Sequence, residues 1–231
     1  MALEGKVVLV TGASRGLGRA VAALLAAHGA RVAAAARSKS ELESIGRGVL
    51  AIPADLTDPA QTAAVYQRID EQFGRIDVAI NSAGIGVFGP LDELAPEQLD
   101  ALVAINFKAT FYSCQEAFRR MKRTGGGHIV NVISTSGKIG RANEAAYTAT
   151  KWAVTGLTES LKLEGKPHRI RATAFCPGGM ETPFWDTESG RSHRGPKPSA
   201  FMPAEAVAQI LVGLLELPEG VLVDDITIKR A

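Results

Sequence analysis

Tyr147 and Lys151 stand four residues apart in the stretch Tyr147-Thr148-Ala149-Thr150-Lys151. On a helix that spacing puts both side chains on one face. A phenol ionises near pH 10, and a neighbouring ammonium favours the phenolate, which pulls the phenol toward proton exchange near neutrality. A half-buried Tyr beside a solvated Lys also occurs on ordinary helices, so the chemistry depends on what else the chain brings to the pair. The four histidines, at 28, 128, 168 and 193, show no metal-ligand spacing, and Cys114 and Cys176 are far apart. No metal site is expected, and the cysteines read as small, reduced core residues.

The elements that position the pair are written as alternating apolar runs and amphipathic stretches. Lys6-Val7-Val8-Leu9-Val10-Thr11 is an unbroken apolar run, the mark of a strand covered on both faces. It leads through Gly12-Ala13-Ser14-Arg15-Gly16-Leu17-Gly18 into an Ala-rich helix. A glycine turn between strand and helix lets backbone approach a pyrophosphate, and the helix N-terminus offers unpaired N–H groups and a positive dipole end. The spacing is G-x-x-x-G-x-G. A second strand over 31–36 ends at Ala36, where a carboxylate would hold a ribose 2′-hydroxyl, and Arg37-Ser38-Lys39 follows. Without that carboxylate, Arg37 can fork onto a 2′-phosphate and Arg15 is a second cation within reach. NADP(H) is therefore expected over NAD(H).

Further strands are expected over 49–53, 76–80, 128–133 and 170–175, and a last strand or short pair within 221–228. Helices are expected over 58–73, 96–122, 145–163 and 203–217, with Asn106 half-buried in the second of these. This alternation predicts an α/β fold, a Rossmann-type doubly wound parallel sheet of about seven strands with helices on both faces. The chain of 231 residues reads as one domain. Its ligand crevice should lie at the carboxyl ends of the strands, where Gly12, Arg37, Asp55, Asn81, Ser134 and Pro177 fall. Residues 183–202, with their prolines, glycines and the basic cluster Arg191, Arg194 and Lys197, are expected to form a mobile lid.

Composition narrows the class. The net charge is +2 with the signs interspersed, so neither a nucleic-acid partner nor an anionic membrane surface is expected. Apolar residues make up 46% of the chain, enough for a sizeable core, yet no run is long enough to span a bilayer. The N-terminus lacks the pattern of a signal peptide, and a cytoplasmic protein is expected.

Taken together, these residues resemble the Tyr-dependent short-chain dehydrogenase/reductase family. The resemblance covers nearly the whole chain: the Thr11-Gly12 turn through Gly18, Asp55-Leu56, Asn81-Ser82-Ala83-Gly84, Asn106, Ser134, Tyr147 with Lys151, and Pro177-Gly178 with Thr182. Their order is the family's, including the thirteen positions from Ser134 to Tyr147. Ser82 stands where the family usually has a second Asn. The resemblance implies that Tyr147 donates or accepts the substrate proton and that Ser134 orients the substrate oxygen. It implies that Lys151 binds the nicotinamide ribose, and that Asn106 holds a water linking Lys151 to solvent. It places Asp55 and Leu56 beside the adenine, and Asn81, Ala83 and Gly84 along the adenine ribose and the central strand end. Pro177, Gly178, Met180 and Thr182 would hold the nicotinamide. It also implies a homodimer or homotetramer built on helices 97–122 and 146–163.

The expected activity is reversible reduction of a ketone or aldehyde, with NADP(H) as hydride source. A 3-oxoacyl-carrier-protein reductase, a 3-hydroxy acid dehydrogenase, and a catalytically silent dinucleotide sensor are the alternatives. Loops 85–91, 135–143 and 178–202 should wall the substrate pocket, mixing Ile85, Val87, Phe88, Ile139, Phe184 and Trp185 with Lys138, Arg141, Asn143 and Glu144. The lid cations could meet an acidic substrate.

Overall fold

In the computed structural model, which describes residues 3–194, 201–218 and 220–231, strands and helices alternate from the start. β1 (Val7–Thr11) runs into α1 (Gly16–Ala27), β2 (Arg31–Ala36) into α2 (Lys39–Glu43), and β3 (Leu50–Pro53) into α3 (Pro59–Phe73). β4 (Val78–Asn81) precedes α4 (Pro96–Leu102), a π-helical stretch (Val103–Lys108) and α5 (Ala109–Thr124). β5 (Gly127–Val132), α6 (Ala145–Gly165) and β6 (Ile170–Pro177) follow. β7 (Met180–Glu181), α7 (Glu188–Arg194), β8 (Met202–Pro203), α8 (Ala204–Leu215) and β9 (Asp225–Ile228) complete the chain.

Seven strands form one parallel sheet in the order β3-β2-β1-β4-β5-β6-β9. The order reverses between β1 and β4, which opens a crevice at their carboxyl ends. Side chains alternate across the sheet. Val8 and Val10 of β1, with Val32 and Ala34 of β2, pack against Val21 and Leu25 of α1 and Val207 and Leu211 of α8. Val7 and Leu9, with Ala33 and Ala35, pack on the opposite face against Val65 and Ile69 of α3 and Ala117 and Met121 of α5. Burying each larger side chain stabilises by roughly 1.5–3 kcal/mol, which is why both faces of these strands read as apolar. Helix ends follow local chemistry. The Asp58 carboxylate accepts from the Ala60 N–H at 2.8 Å, Pro59 opens α3, and Gly74 ends it with φ of +76°.

Several boundaries differ from the sequence expectation. The helix expected over 96–122 contains a π-helical stretch around Asn106, which apolar periodicity does not reveal. The final helix stops at Leu215, and 221–223 stays outside the sheet. Val223 is held instead by its carbonyl, which accepts from the Thr173 hydroxyl at 2.7 Å. The segment expected as a lid is pinned at its base, because Met180 and Glu181 pair with Met202 and Pro203. Between them lie a short helical turn, Pro183–Trp185, and α7. Lys197 lies outside the described residues. Among the described residues no helix is long and apolar enough to cross a membrane.

Candidate active site

The carboxyl ends of the strands open on a cleft of about 1160 Å³. Gly12, Ser14, Arg15, Gly16, Leu17 and Gly18 line it from the turn after β1, Arg37 from the end of β2, Asp55 and Leu56 from the end of β3, and Ala83 and Gly84 from the end of β4. The turn demands glycine because backbone meets backbone. A Cβ on Gly12 would lie 2.7 Å from the Ala83 Cα, and one on Gly18 would lie 2.5 Å from the Gly12 carbonyl oxygen. Gly12 also has φ of +66°, the left-handed region that side chains disfavour. Thr11 ties the two strand ends together: its hydroxyl oxygen accepts from the N–H groups of Ser82 and Ala83 at 3.1 and 3.3 Å. Sequence reasoning assigned Thr11 no role of its own, although its place directly before Gly12 was a signal. The residue before α1, Arg15, makes no side-chain capping bond, so first-turn N–H groups at the cleft wall remain available to an anion. A cradle of backbone donors too tight for any Cβ fits a nicotinamide dinucleotide's pyrophosphate.

Arg15 and Arg37 are exposed at the rim of this end. Beside them, Asp55 accepts from the Thr57 N–H and hydroxyl at 3.0 and 2.7 Å. Those bonds hold its carboxyl below the usual range, with a smaller contribution from the Arg37 charge.

Asn81 does not join this wall. It is buried, its Nδ2 donates to Asn131 Oδ1 at 2.8 Å, and its Oδ1 accepts from the Ser113 hydroxyl at 2.6 Å. Strand alternation explains the correction. Asn81 of β4 and Asn131 of β5 are register partners on one face of the sheet, and that face is covered by α5, where buried amides must find protein partners.

Ser134, Tyr147 and Lys151 form the next wall. Tyr147 and Lys151 share a face of α6, with Nζ 5.7 Å from the ring centroid and donating to the Val132 carbonyl at 3.3 Å. Ser134 follows β5, and its oxygen accepts from the Ser136 N–H at 3.1 Å. Burial works against charge on both members of the pair. It pushes the Tyr147 phenol above its ordinary value, opposed more weakly by the adjacent Ser134 hydroxyl. It pulls the Lys151 ammonium down to about 8. Burial, and not the neighbouring ammonium, is the largest influence on the phenol here.

Asn106 does not line the cleft either. Its Oδ1 accepts from the Ile85 N–H at 2.8 Å, and its Nδ2 donates to the Ile85 carbonyl and the Thr150 hydroxyl, both at 3.1 Å. Gly84 separates it from Lys151: a Cβ there would lie 3.2 Å from Asn106 Oδ1 and 3.6 Å from Lys151 Nζ.

Pro177, Gly178, Met180 and Thr182 line the cleft beyond β6. Thr182 reaches back to the glycine turn, 3.3 Å from where a Gly16 Cβ would sit. Phe88, Phe184 and Trp185 wall the remaining end. Phe88 meets Tyr147 edge-on at 5.3 Å between centroids and stacks on His193 of α7 at 4.4 Å. His193 lines the cleft, and its Nε2 lies 2.9 Å from Oε1 of Glu144, a buried carboxylate that lines it too. Sequence reasoning placed Glu144 in a pocket loop but found no partner for any histidine. Nothing in local spacing links the two, because they are 49 residues apart. Of the lid cations, Arg191 donates to the carbonyl of Asp186 and does not line the cleft; Lys138, from the loop after β5, pairs with Asp225.

A family model described as short chain dehydrogenase matches residues 6–192. The chain is 35% identical over 199 residues to a D-threitol dehydrogenase of Mycolicibacterium smegmatis, covering 81% of this chain and 76% of that protein. An alcohol dehydrogenase from Thermococcus sibiricus, complexed with 5-hydroxy-NADP, superposes with a TM-score of 0.89 at 28% identity, over 98% of this chain and 97% of the other. A 3-ketoacyl-(acyl-carrier-protein) reductase from Brucella melitensis, complexed with NADH, also gives 0.89, at 30% identity over 98% of each chain.

Proposed function

This chain belongs to the short-chain dehydrogenase family, and from that premise we propose that it is an NADPH-dependent carbonyl reductase, reversible as an alcohol dehydrogenase. The observation that carries the reading is the convergence of the Ser134 hydroxyl, the Tyr147 phenol and the Lys151 ammonium on one cleft whose other end is the glycine cradle. A bound nicotinamide dinucleotide supplies or takes the hydride. The chain's own residues manage the proton and the oxygen. Because burial raises its pKa, Tyr147 holds its proton at neutral pH, the form required to protonate a carbonyl oxygen during reduction. Ser134 supplies a second hydroxyl donor where negative charge develops on that oxygen. Lys151, with an ammonium brought near neutrality, sits beside the phenol to exchange protons with it and to hold ribose hydroxyls. Asn106 fixes the Ile85 backbone behind Gly84, and the family's water relay to Lys151 belongs to the same reading.

NADP(H) over NAD(H) is supported by two exposed guanidinia, Arg15 and Arg37, beside the end of β2, where Ala36 stands in place of a carboxylate. Asp55 and Leu56 flank the adenine, Ala83 and Gly84 its ribose, and Pro177, Gly178, Met180 and Thr182 the nicotinamide. The whole chain acts as one catalytic unit, with residues 183–194 and 201–202 over the substrate. Self-association through α5 and α6 is part of the proposal, supported by Phe111, Trp152 and Leu163, which leave apolar surface on those helices at 39, 50 and 76% exposure. A cytoplasmic setting agrees with two free, buried cysteines.

A panel of ketones and aldehydes with NADPH and NADH, followed through loss of the reduced nicotinamide absorbance, tests the reading. NADPH-dependent turnover is expected. Bound dinucleotide with no turnover across the panel overturns it in favour of a sensor.

A further inference from the structure

The substrate end of the cleft holds a polar group that the reductase chemistry does not use. Glu144 precedes Tyr147 by one helical turn, its side chain is 7% exposed, and it lines the cleft. Its Oε2 accepts from the Ser136 hydroxyl at 2.6 Å, and its Oε1 pairs with His193 Nε2 at 2.9 Å. A carboxylate has about four acceptor positions, so beyond these two bonds Glu144 can accept from a group that enters the cleft. Because a carboxylate only accepts, Nε2 of His193 carries a proton toward Glu144. His193 also lines the cleft, stacked on Phe88, which in turn touches Tyr147.

The charge of Glu144 is already balanced. Arg141 Nη1 lies 3.6 Å from Oε2, and its guanidinium donates to the Ser136 and Thr135 hydroxyls at 2.7 and 2.9 Å. The Glu144 charge is therefore paired, and its oxygens remain acceptors. An acidic substrate would bring further acceptors against a buried carboxylate. A cationic one would meet the guanidinium. A neutral hydroxyl donates to the carboxylate without adding charge.

We propose that Glu144 and His193 form a hydroxyl-accepting subsite, and that the substrate class is a neutral hydroxyketone and its polyol in preference to plain or acidic ketones. The inference rests on the reductase reading above. Glu144 comes from the start of α6 and His193 from α7, so the selecting pair forms only when the lid helix lies on the cleft.

The test compares kcat/KM of the whole protein for butanone, acetoin, dihydroxyacetone and acetoacetate with NADPH. Acetoin and dihydroxyacetone should exceed butanone by about 10-fold or more, the size of one well-made hydrogen bond, and acetoacetate should be the poorest. In Glu144→Gln the hydroxyl advantage should fall to within about 3-fold of butanone. A purely structural role would lower all four substrates together and leave the ratio standing. His193→Phe keeps the stack on Phe88 but removes the ring nitrogens. It should reduce the same ratio, and it carries the test if Glu144→Gln does not fold. Turnover of butanone with no hydroxyl advantage, a preference for acetoacetate, or an unchanged ratio in the folded variants overturns this inference and leaves the reductase reading in place. No turnover of any carbonyl overturns both.

Discussion

The glycine turn that would hold a dinucleotide is walled by backbone, and the aromatic end that would hold substrate is walled by side chains. At the first, Gly12, Gly18 and Ala83 approach so closely that a single added methyl would collide with main chain. At the second, Phe88, Trp185, Glu144 and His193 meet through rings and hydrogen bonds donated from three separate segments. A backbone wall tolerates little variation, because nothing in it can rotate away. A side-chain wall can be rebuilt by substitution while the sheet behind it stays as it is. The cradle thus suits the part of the reaction common to many oxidoreductases, and the aromatic and polar end suits the choice of substrate.

Substitutions can break this division or sharpen it. Tyr147→Phe should lower kcat by roughly 10³-fold, the scale of a lost general acid, while dinucleotide affinity by fluorescence titration stays within about 2-fold. Weakened cofactor binding would mean that the two ends are not separable. Gly12→Val drives a branched side chain into Ala83 at a left-handed backbone position. It should cost roughly 3 kcal/mol or more in dinucleotide binding or in stability, read by calorimetry and chemical denaturation. A folded Gly12→Val protein with unchanged affinity would refute the backbone cradle.

Lys151→Met tests the seam between the ends. Burial lowers the folded-state pKa of Lys151 from its ordinary value to about 8. Below pH 8 both folded and unfolded chains carry the proton, and the folded state bears the full burial cost. As pH rises from 8 toward the unfolded value of 10.5, the unfolded chain holds more protons than the folded one, so wild-type stability gains. The Met variant should be inactive, yet more stable than wild type at pH 7 by about 2 kcal/mol. That advantage should shrink as pH rises. An advantage independent of pH would show that the ammonium is not desolvated. The smallest effect is expected at the rim. Arg37→Asp should shift the NADPH/NADH ratio of kcat/KM toward NADH by roughly 10- to 100-fold, and an unchanged ratio would remove Arg37 from the 2′-phosphate site.

The same contrast explains how much could be read before the fold was known. The cradle was legible because its requirements are local: glycines at set intervals, a strand before them and a helix after. All of the assigned cofactor residues except Asn81 line the cleft. Asn81 lies at the central strand end as expected, but its side chain turns into the core, because resemblance locates a strand end and not the face a side chain takes. Asn106 was expected as a half-buried amide in need of partners, and it has them. Its π-helical setting was not legible, because an extra residue in one turn leaves the apolar pattern almost unchanged. Among the walls of the substrate end, Phe88, Phe184 and Trp185 were anticipated, whereas Ile139, Lys138 and Asn143 fall elsewhere.

The amino-acid sequence by itself determined the order of strands and helices, the glycine turn, and the shared face of Tyr147 and Lys151. Each depends on spacing along a few turns of chain. Tertiary structure alone decided how deeply those two groups are buried, and burial sets the direction in which their pKa values shift. It also decided that Glu144 and His193 meet, because a hydrogen bond across 49 residues exists only once α6 and α7 pack on the same cleft.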